Sequence, residues 1–206
     1  MSTTRTQAER SATTRQALLD ATIRCLVEEG YANTTTARVA ELAGVSRGAH
    51  LHHFQTRSAL VAAAVEHLRI RRAEELMAAA DALPSGPERV TQALDLLWRS
   101  YTSPLFQGAL DLWSAGRTDA ELRGHLVKIE REFDRQTMQL ARRLFPDAAE
   151  RPEFERLIEF SISAIRGLTL LDTLHPGRER NRRQWPFCRA RLAELFSAAA
   201  LLEERE

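Results

Sequence analysis

Apolar residues recur at helical spacing along nearly the whole chain, and each recurrence stops where Gly or Pro would stop a helix. Leu18, Leu19, Ile23, Leu26 and Val27, with Thr22 on the same side, mark an amphipathic helix from about Arg10 to Glu29 that ends at Gly30. The polar stretch ahead of it, Met1 to about Ala8, reads as a loose arm. Thr34 to Thr36 offer capping hydroxyls, and Val39, Ala40, Leu42 and Ala43 then define a short helix that Gly44 ends. Gly44 is the residue type that takes the left-handed conformation after a helix, and Val45 is apolar enough to plug the angle between two helices. Ser46 can cap the second helix, from about Arg47 to Phe54. Thr56 can cap a third segment, whose pattern runs without a breaker through Ala80 to the turn Pro84-Ser85-Gly86-Pro87.

The second half of the chain continues in the same way. Val90, Leu94, Leu97, Trp98 and Tyr101 form one stripe, and Leu105, Phe106, Ala109, Leu110 and Trp113 form the next after Pro104. Leu122, Leu126, Ile129, Phe133, Leu140 and Leu144 predict a long helix from Asp119 that ends before Pro146. Pro152 can start another, in which Phe154, Leu157, Ile158, Phe160, Ile162, Ile165, Leu168 and Leu171 leave little polar surface before His175-Pro176-Gly177. A helix apolar on more than one face is either central or covered by a partner. Residues 178–183, RERNRR, read as a basic loop, and the last helix, from about Pro186, carries Phe187, Leu192, Leu195, Phe196, Ala199 and Leu202. The expected class is all-α.

Composition narrows the chemistry. With 44% hydrophobic residues in a 206-residue chain, one large or two small domains with a core are within reach. Net charge is +1 and the pI about 7.9, so any nucleic-acid binding comes from a local patch. Residues 1–60 hold seven Arg against five acidic residues, plus His50, His52 and His53, and Lys128 is the only lysine of the chain. Cys25 and Cys188 are too few and too far apart to suggest a disulfide framework or a zinc site, and no metal or cofactor is expected. The N-terminus lacks the apolar stretch of a signal peptide and no long apolar run appears, so the expectation is a cytoplasmic protein with no membrane partner.

The stretch Thr34 to Ala63 reads as a helix-turn-helix with its docking support attached. In such a motif the second helix lies in the major groove and its first turn faces the base edges. Arg47 can bond guanine in bidentate fashion, while Gly48 and Ala49 leave room for the groove wall or a thymine methyl. His52 and His53 are donors for phosphate oxygens, and Arg57 adds a cation at the DNA backbone. With Thr35, Thr36 and Leu51, these residues make up the expected DNA-contact set.

The run from Thr35 to Leu60 resembles the DNA-binding domain of the TetR family of bacterial transcription regulators, through its capping threonines, Ala40, Ala43-Gly44-Val45-Ser46, Gly48, His53-Phe54 and Leu60. Tyr31 and the segment Ala109 to Arg123, ALDLWSAGRTDAELR, resemble the family as well. Three positions depart from its usual pattern: Leu51 stands where Tyr is common, Arg57 where Lys is common, and His50 in a usually aliphatic slot. His50 either points into the small domain's core as a neutral, hydrogen-bonded ring or reaches DNA.

The resemblance implies an N-terminal three-helix helix-turn-helix domain, residues 1–60, joined by a long helix to a C-terminal effector-binding and dimerisation domain, residues 61–206. It implies that the last two long helices form a four-helix dimer interface, with Phe154, Leu157, Ile158, Ile162, Ile165, Leu168, Leu192, Leu195, Phe196 and Ala199 as its expected residues. It also implies an effector pocket among the central helices, with Trp98, Tyr101, Phe106, Trp113 and Phe133 as an apolar wall and Asp111, His125 and Arg166 as polar contacts. Aromatic stripes at helical spacing are also the ordinary material of a core. In the family the N-terminal arm can add DNA contacts, for which Arg5 and Arg10 are available.

The expected partners are therefore a double-stranded DNA operator, a second copy of the chain and a small, apolar or aromatic effector that releases a repressor from a palindromic site. The alternative is a dimeric regulator without a small-molecule effector, controlled by a partner protein or constitutive. A third option is pH sensing, in which histidines near DNA gain charge as pH falls and tighten phosphate binding. An enzyme is not expected, since no Gly-rich phosphate loop, nucleophile motif or metal-ligand spacing occurs, and His52 and His53 point in different directions on a helix.

Overall fold

The computed structural model describes residues 6–170 and 180–198, with the side chains in those spans except those of residues 47, 107, 180–182 and 198. Every element among the described residues is helical. In chain order they are α1 (Gln7–Glu28), α2 (Gly30–Asn33), α3 (Thr36–Ala43), α4 (Arg47–His53), α5 (Arg57–Asp81), α6 (Arg89–Tyr101), α7 (Pro104–Gly116), α8 (Ala120–Leu144), a 3-10 turn (Pro146–Ala148), α9 (Phe154–Leu170) and α10 (Arg180–Ala198).

The backbone gathers into two compact units, Met1–Arg72 with Gln107–Phe133, and Ala73–Phe106 with Asp134–Glu206. In the first unit, Leu18, Leu19, Ala21 and Cys25 of α1 pack with Val39 of α3, Phe54, and Leu60 and Ala64 of α5. A second cluster joins Leu26 and Val61 to Leu112, Leu122 and Leu126. Burying each leucine of this kind is worth about 1.5–3 kcal/mol, which is why the periodic positions of α1 decide which face turns inward. α1 begins at a full capping box: the Thr6 hydroxyl accepts from the Glu9 amide while the Glu9 carboxylate accepts from the Thr6 amide.

In the second unit, α6, α9 and α10 pack on one another, burying Leu94 and Leu97, Phe154, Ile158 and Ile165, and Trp185, Leu192 and Phe196. Phe145 and Phe196 stack at 4.2 Å. Trp185 stacks on Trp98 at 4.6 Å and donates its indole N–H to Asp95 at 2.7 Å, and Asp95 also pairs with Arg189 at 2.5 Å.

Two features differ from the sequence-based expectation. The last helix begins at Arg180, so residues 180–183 of the basic run are helical and Pro186 lies inside the helix. Proline removes one helical N–H bond, but Trp185 and Arg189, on either side of it, are both fastened to Asp95. The chain after Gly30 forms the additional single turn α2 before the motif begins. Arg5, Leu171, His175-Pro176-Gly177, the rest of the basic run, Ala199 and Leu202 lie outside the described residues.

Candidate nucleic-acid interface

Local chemistry builds the motif one hydrogen bond at a time. The Thr35 hydroxyl accepts from the Arg38 amide at 3.2 Å and starts α3. Gly44 takes φ 66° and ψ 31°, a conformation that costs other residues steric strain, and Val45 N–H returns to the Ala40 carbonyl at 3.0 Å. Val45 packs on the first unit's core, and the Ser46 hydroxyl accepts from the Ala49 amide at 3.2 Å to start α4. Phe54 closes α4, its amide bonded to the His50 carbonyl at 2.9 Å and its ring buried. Thr56 then caps α5, accepting from the Ala59 amide at 3.1 Å and donating to Glu121 at 2.7 Å.

The support on either side is ionic. Arg38 grips Glu29 at 2.7 Å and reaches Glu41 at 3.2 Å, and this hydrogen-bonded guanidinium holds the Glu29 carboxyl below its ordinary range. Arg24 donates to the Leu42 carbonyl at 3.3 Å, tying α3 to α1.

The outward side of α4 carries Gly48, Leu51 and His52, all exposed. A side chain at Gly48 would meet nothing within 4 Å, and Leu51 is 60% exposed. Ala49 and His53 are half-buried, and Thr35 and Thr36 sit exposed and half-buried at the start of α3. Arg47 is the first residue of α4, and its side chain lies outside the described residues.

Two histidines differ in kind from His52. His50 is 3% exposed, and its Nε2 has no hydrogen-bond partner. The ring therefore takes the inward of the two orientations, without a hydrogen bond at that nitrogen. Burial pushes its pKa down, and the neighbouring His53 pushes it the same way. The pKa of His53 is also lowered, first by burial and then by His52 and by Arg15, whose guanidinium lies 5.5 Å over the Phe54 ring.

Arg57, expected as a cation at the DNA backbone, is half-buried and engaged with its own chain. Its guanidinium lies 3.9 Å from the Tyr31 ring centroid, donates to the Thr34 carbonyl at 2.8 Å and bonds the Tyr31 carbonyl. It holds the α2–α3 corner. Sequence reasoning missed this because Tyr31 has no periodic relation to Arg57.

The residues expected around an effector fall into both units. In the second, Tyr101 is buried edge-on to Phe106 at 4.9 Å, Arg166 lies 5.3 Å over the Tyr101 ring, and Trp98 stacks on Trp185. In the first, Trp113 donates to Glu130 at 2.6 Å, His125 and Phe133 are half-buried on α8, and Asp111 is exposed. An open cleft of about 640 Å³ in the first unit is lined by Glu29, Gly30, Tyr31, Ala32, Asp111, Ser114, Ala115, Arg117 and Thr118. Asp111 is the one expected pocket residue among them.

The expected dimer residues are also redistributed. Phe154, Ile158, Ile162, Ile165, Leu192 and Phe196 are buried within this single chain, Leu157 and Leu168 are half-buried, and Leu195 is 39% exposed. The outward apolar positions of α9 and α10 are Phe160, Leu170 and Phe187, at 57%, 54% and 65% exposure, together with Leu195. The most regular apolar stripe of each helix goes to the chain's own core, and the second stripe stays outside. That second stripe was legible in the excess of apolar residues around α9.

Among the described residues no group of His, Cys, Asp and Glu could hold a metal, and no helix is long and apolar enough to cross a membrane.

Comparison with known proteins agrees with this geometry. The family model for bacterial regulatory proteins of the tetR family matches residues 18–64. The chain is 33% identical over 181 residues to the HTH-type transcriptional regulator CymR of Pseudomonas putida, covering 87% of this chain and 89% of CymR. Two crystal structures share the fold. One is a TetR transcription regulator from Haloarcula marismortui, with TM-score 0.67, 19% identity and coverage of 91% and 98% of the two chains. The other is a regulator from Saccharomonospora viridis in complex with choline, with TM-score 0.67, 14% identity and coverage of 90% and 96%.

Proposed function

We propose that this chain, which belongs to the TetR family of bacterial transcription regulators, acts as a homodimeric repressor on a palindromic operator. Residues 1–60 serve as its DNA-binding domain and residues 61–206 as its effector-binding and dimerisation domain. The observation that carries this reading is α4 itself: a helix capped by Ser46, turned off α3 by Gly44, and presenting Gly48, Leu51 and His52 outward. Such a helix fits the major groove, with Arg47 and Ala49 at base edges, Thr35, Thr36, His52 and His53 at the phosphates, and Arg57 holding the corner from which α3 starts.

One recognition helix reads only a few base pairs. Two related by a two-fold axis read a palindrome, and the sum of their contacts brings affinity into the range of specific regulators. The outward stripe Phe160, Leu170, Phe187 and Leu195 supplies the pairing surface, with Leu157 and Leu168 at its margin. Apolar side chains this exposed on two adjacent helices gain most by burial against a second copy.

An effector acts by preferring a conformation in which the two heads no longer match successive grooves, for which a difference of a few kcal/mol suffices. The solved relative that holds choline is a precedent for a small ligand on this fold. In this chain the ligand is apolar or aromatic and engages Trp98, Tyr101, Phe106 and Arg166, or Asp111, Trp113, His125 and Phe133. One observation favours a second reading, a dimeric regulator without a small-molecule effector: Trp98 with Trp185 and Tyr101 with Phe106 are already closed on one another.

The test is selection of a preferred sequence from a randomised duplex pool, followed by titration at two salt concentrations with wild type and Arg47→Ala. Saturable binding at dimer stoichiometry that weakens with salt and with the substitution is the expected result. A pool with no preferred sequence would sink the proposal.

A further inference from the structure

Leu51 is the anomaly on the outward side of α4. It is a large apolar side chain at 60% exposure, beside His52 and one turn after Gly48, on a helix whose other apolar content is turned inward or small. Gly48 has open space where a side chain would stand, so a partner can approach the helix until the Leu51 side chain meets it. That side chain can bond neither a phosphate oxygen nor a base-edge donor or acceptor. The apolar group that a base pair displays in the major groove is the C5-methyl of thymine.

We propose that Leu51 is a specificity-determining residue that reads a thymine C5-methyl in each half-site. The assignment rests on the reading of α4 as the major-groove helix. It adds a base preference set by methyl contact to the guanine contact open to Arg47. An exposed leucine contributes little to the folded protein and gains when DNA covers it, so its cost in the free protein is recovered only on DNA that offers an apolar surface.

The experiment starts from the preferred sequence that wild type selects out of a randomised duplex pool. Each thymine of that sequence is then replaced singly by deoxyuridine, which deletes the methyl and keeps every hydrogen-bonding group. Wild type is expected to lose about fourfold in affinity at one thymine per half-site, the scale of one buried methyl, and to be indifferent at the others. Leu51→Ala is expected to bind more weakly and to bind the thymine and deoxyuridine duplexes equally there. Leu51→Met, still apolar, keeps the discrimination. Because the residue is exposed, both variants should unfold at the wild-type temperature, and an altered DNA response cannot then be ascribed to folding. A preferred sequence whose affinity is indifferent to every methyl, or a methyl preference that persists in Leu51→Ala, overturns the assignment and leaves the helix-turn-helix reading intact. A pool with no preferred sequence takes both down.

Discussion

The turn between α3 and α4 and the cluster around Asp95 are both hubs, but they are assembled from different material. At the turn, the partners are chain neighbours: Gly44 bends the backbone, Val45 bonds back to Ala40, and Ser46 caps Ala49. At Asp95, the partners are Trp185 and Arg189, which stand 90 and 94 residues further along the chain. Short-range structure is set by residue type at a fixed offset and is the same in any fold that contains it. Long-range structure is set by which surfaces meet, and no local pattern encodes that. The proposed pairing of two copies through Phe160 and Phe187 extends the series to a partner on another chain.

Substitutions that act at these three ranges should separate cleanly, and the largest effect belongs to the longest range. Phe160→Glu combined with Phe187→Glu places charge on both exposed aromatic positions of the pairing face. It should convert a dimer to a monomer at micromolar concentration and weaken operator binding by about two orders of magnitude or more, since half of the base contacts are lost. Analytical ultracentrifugation with a DNA titration would check it, and a variant that stays dimeric would place the interface elsewhere.

Trp185→Ala removes a buried ring, its stack on Trp98 and its bond to Asp95. A loss of about 3–5 kcal/mol in urea unfolding is expected. A loss below about 1 kcal/mol would mean that the Asp95 cluster does not organise the second unit.

Ser46→Ala removes one capping acceptor and should cost about 1 kcal/mol. Ser46→Asp, which can accept the same bond, should restore most of it. If thermal unfolding did not distinguish the alanine from the aspartate, the cap would not be what starts α4.

The pH response of His50 is expected to be the smallest of the four. Its folded pKa lies below the ordinary 6.5, because the buried ring resists a charge. The unfolded chain therefore binds the extra proton first as pH falls, and the head's stability is full above about pH 6.5 and declines through the interval down to the folded value. His53 shifts in the same direction. The unfolding midpoint should accordingly fall as this window is crossed, and His50→Leu should flatten that fall. An unfolding midpoint that keeps the same slope with pH in His50→Leu would assign the effect to another group.

Particular residues show where the sequence was enough. The breakers and caps at Gly44, Ser46 and Thr56 were readable because each acts within one turn of itself. The amphipathic faces of α1 and α3 were readable at Leu18, Leu19, Thr22, Leu26, Val39 and Ala40, where period and burial agree, but not at Val27, which stays 37% exposed. The same information did not say which stripe of α9 faces its own chain, because an apolar residue that meets a neighbouring helix and one that meets a second copy are chemically identical in sequence.

By itself, then, the sequence determined an all-helical chain, the helix-turn-helix and its caps, and the family, since all three depend on residue type at short fixed offsets. Tertiary structure decided the rest: that Arg57 braces Tyr31 and the Thr34 carbonyl, that His50 is buried with an unpaired nitrogen, that α10 runs through Pro186, and that Asp95 joins Trp185 to Arg189. A charge, an imidazole or an indole carries only a capacity to bond, and the partner that satisfies it is chosen when distant segments come together.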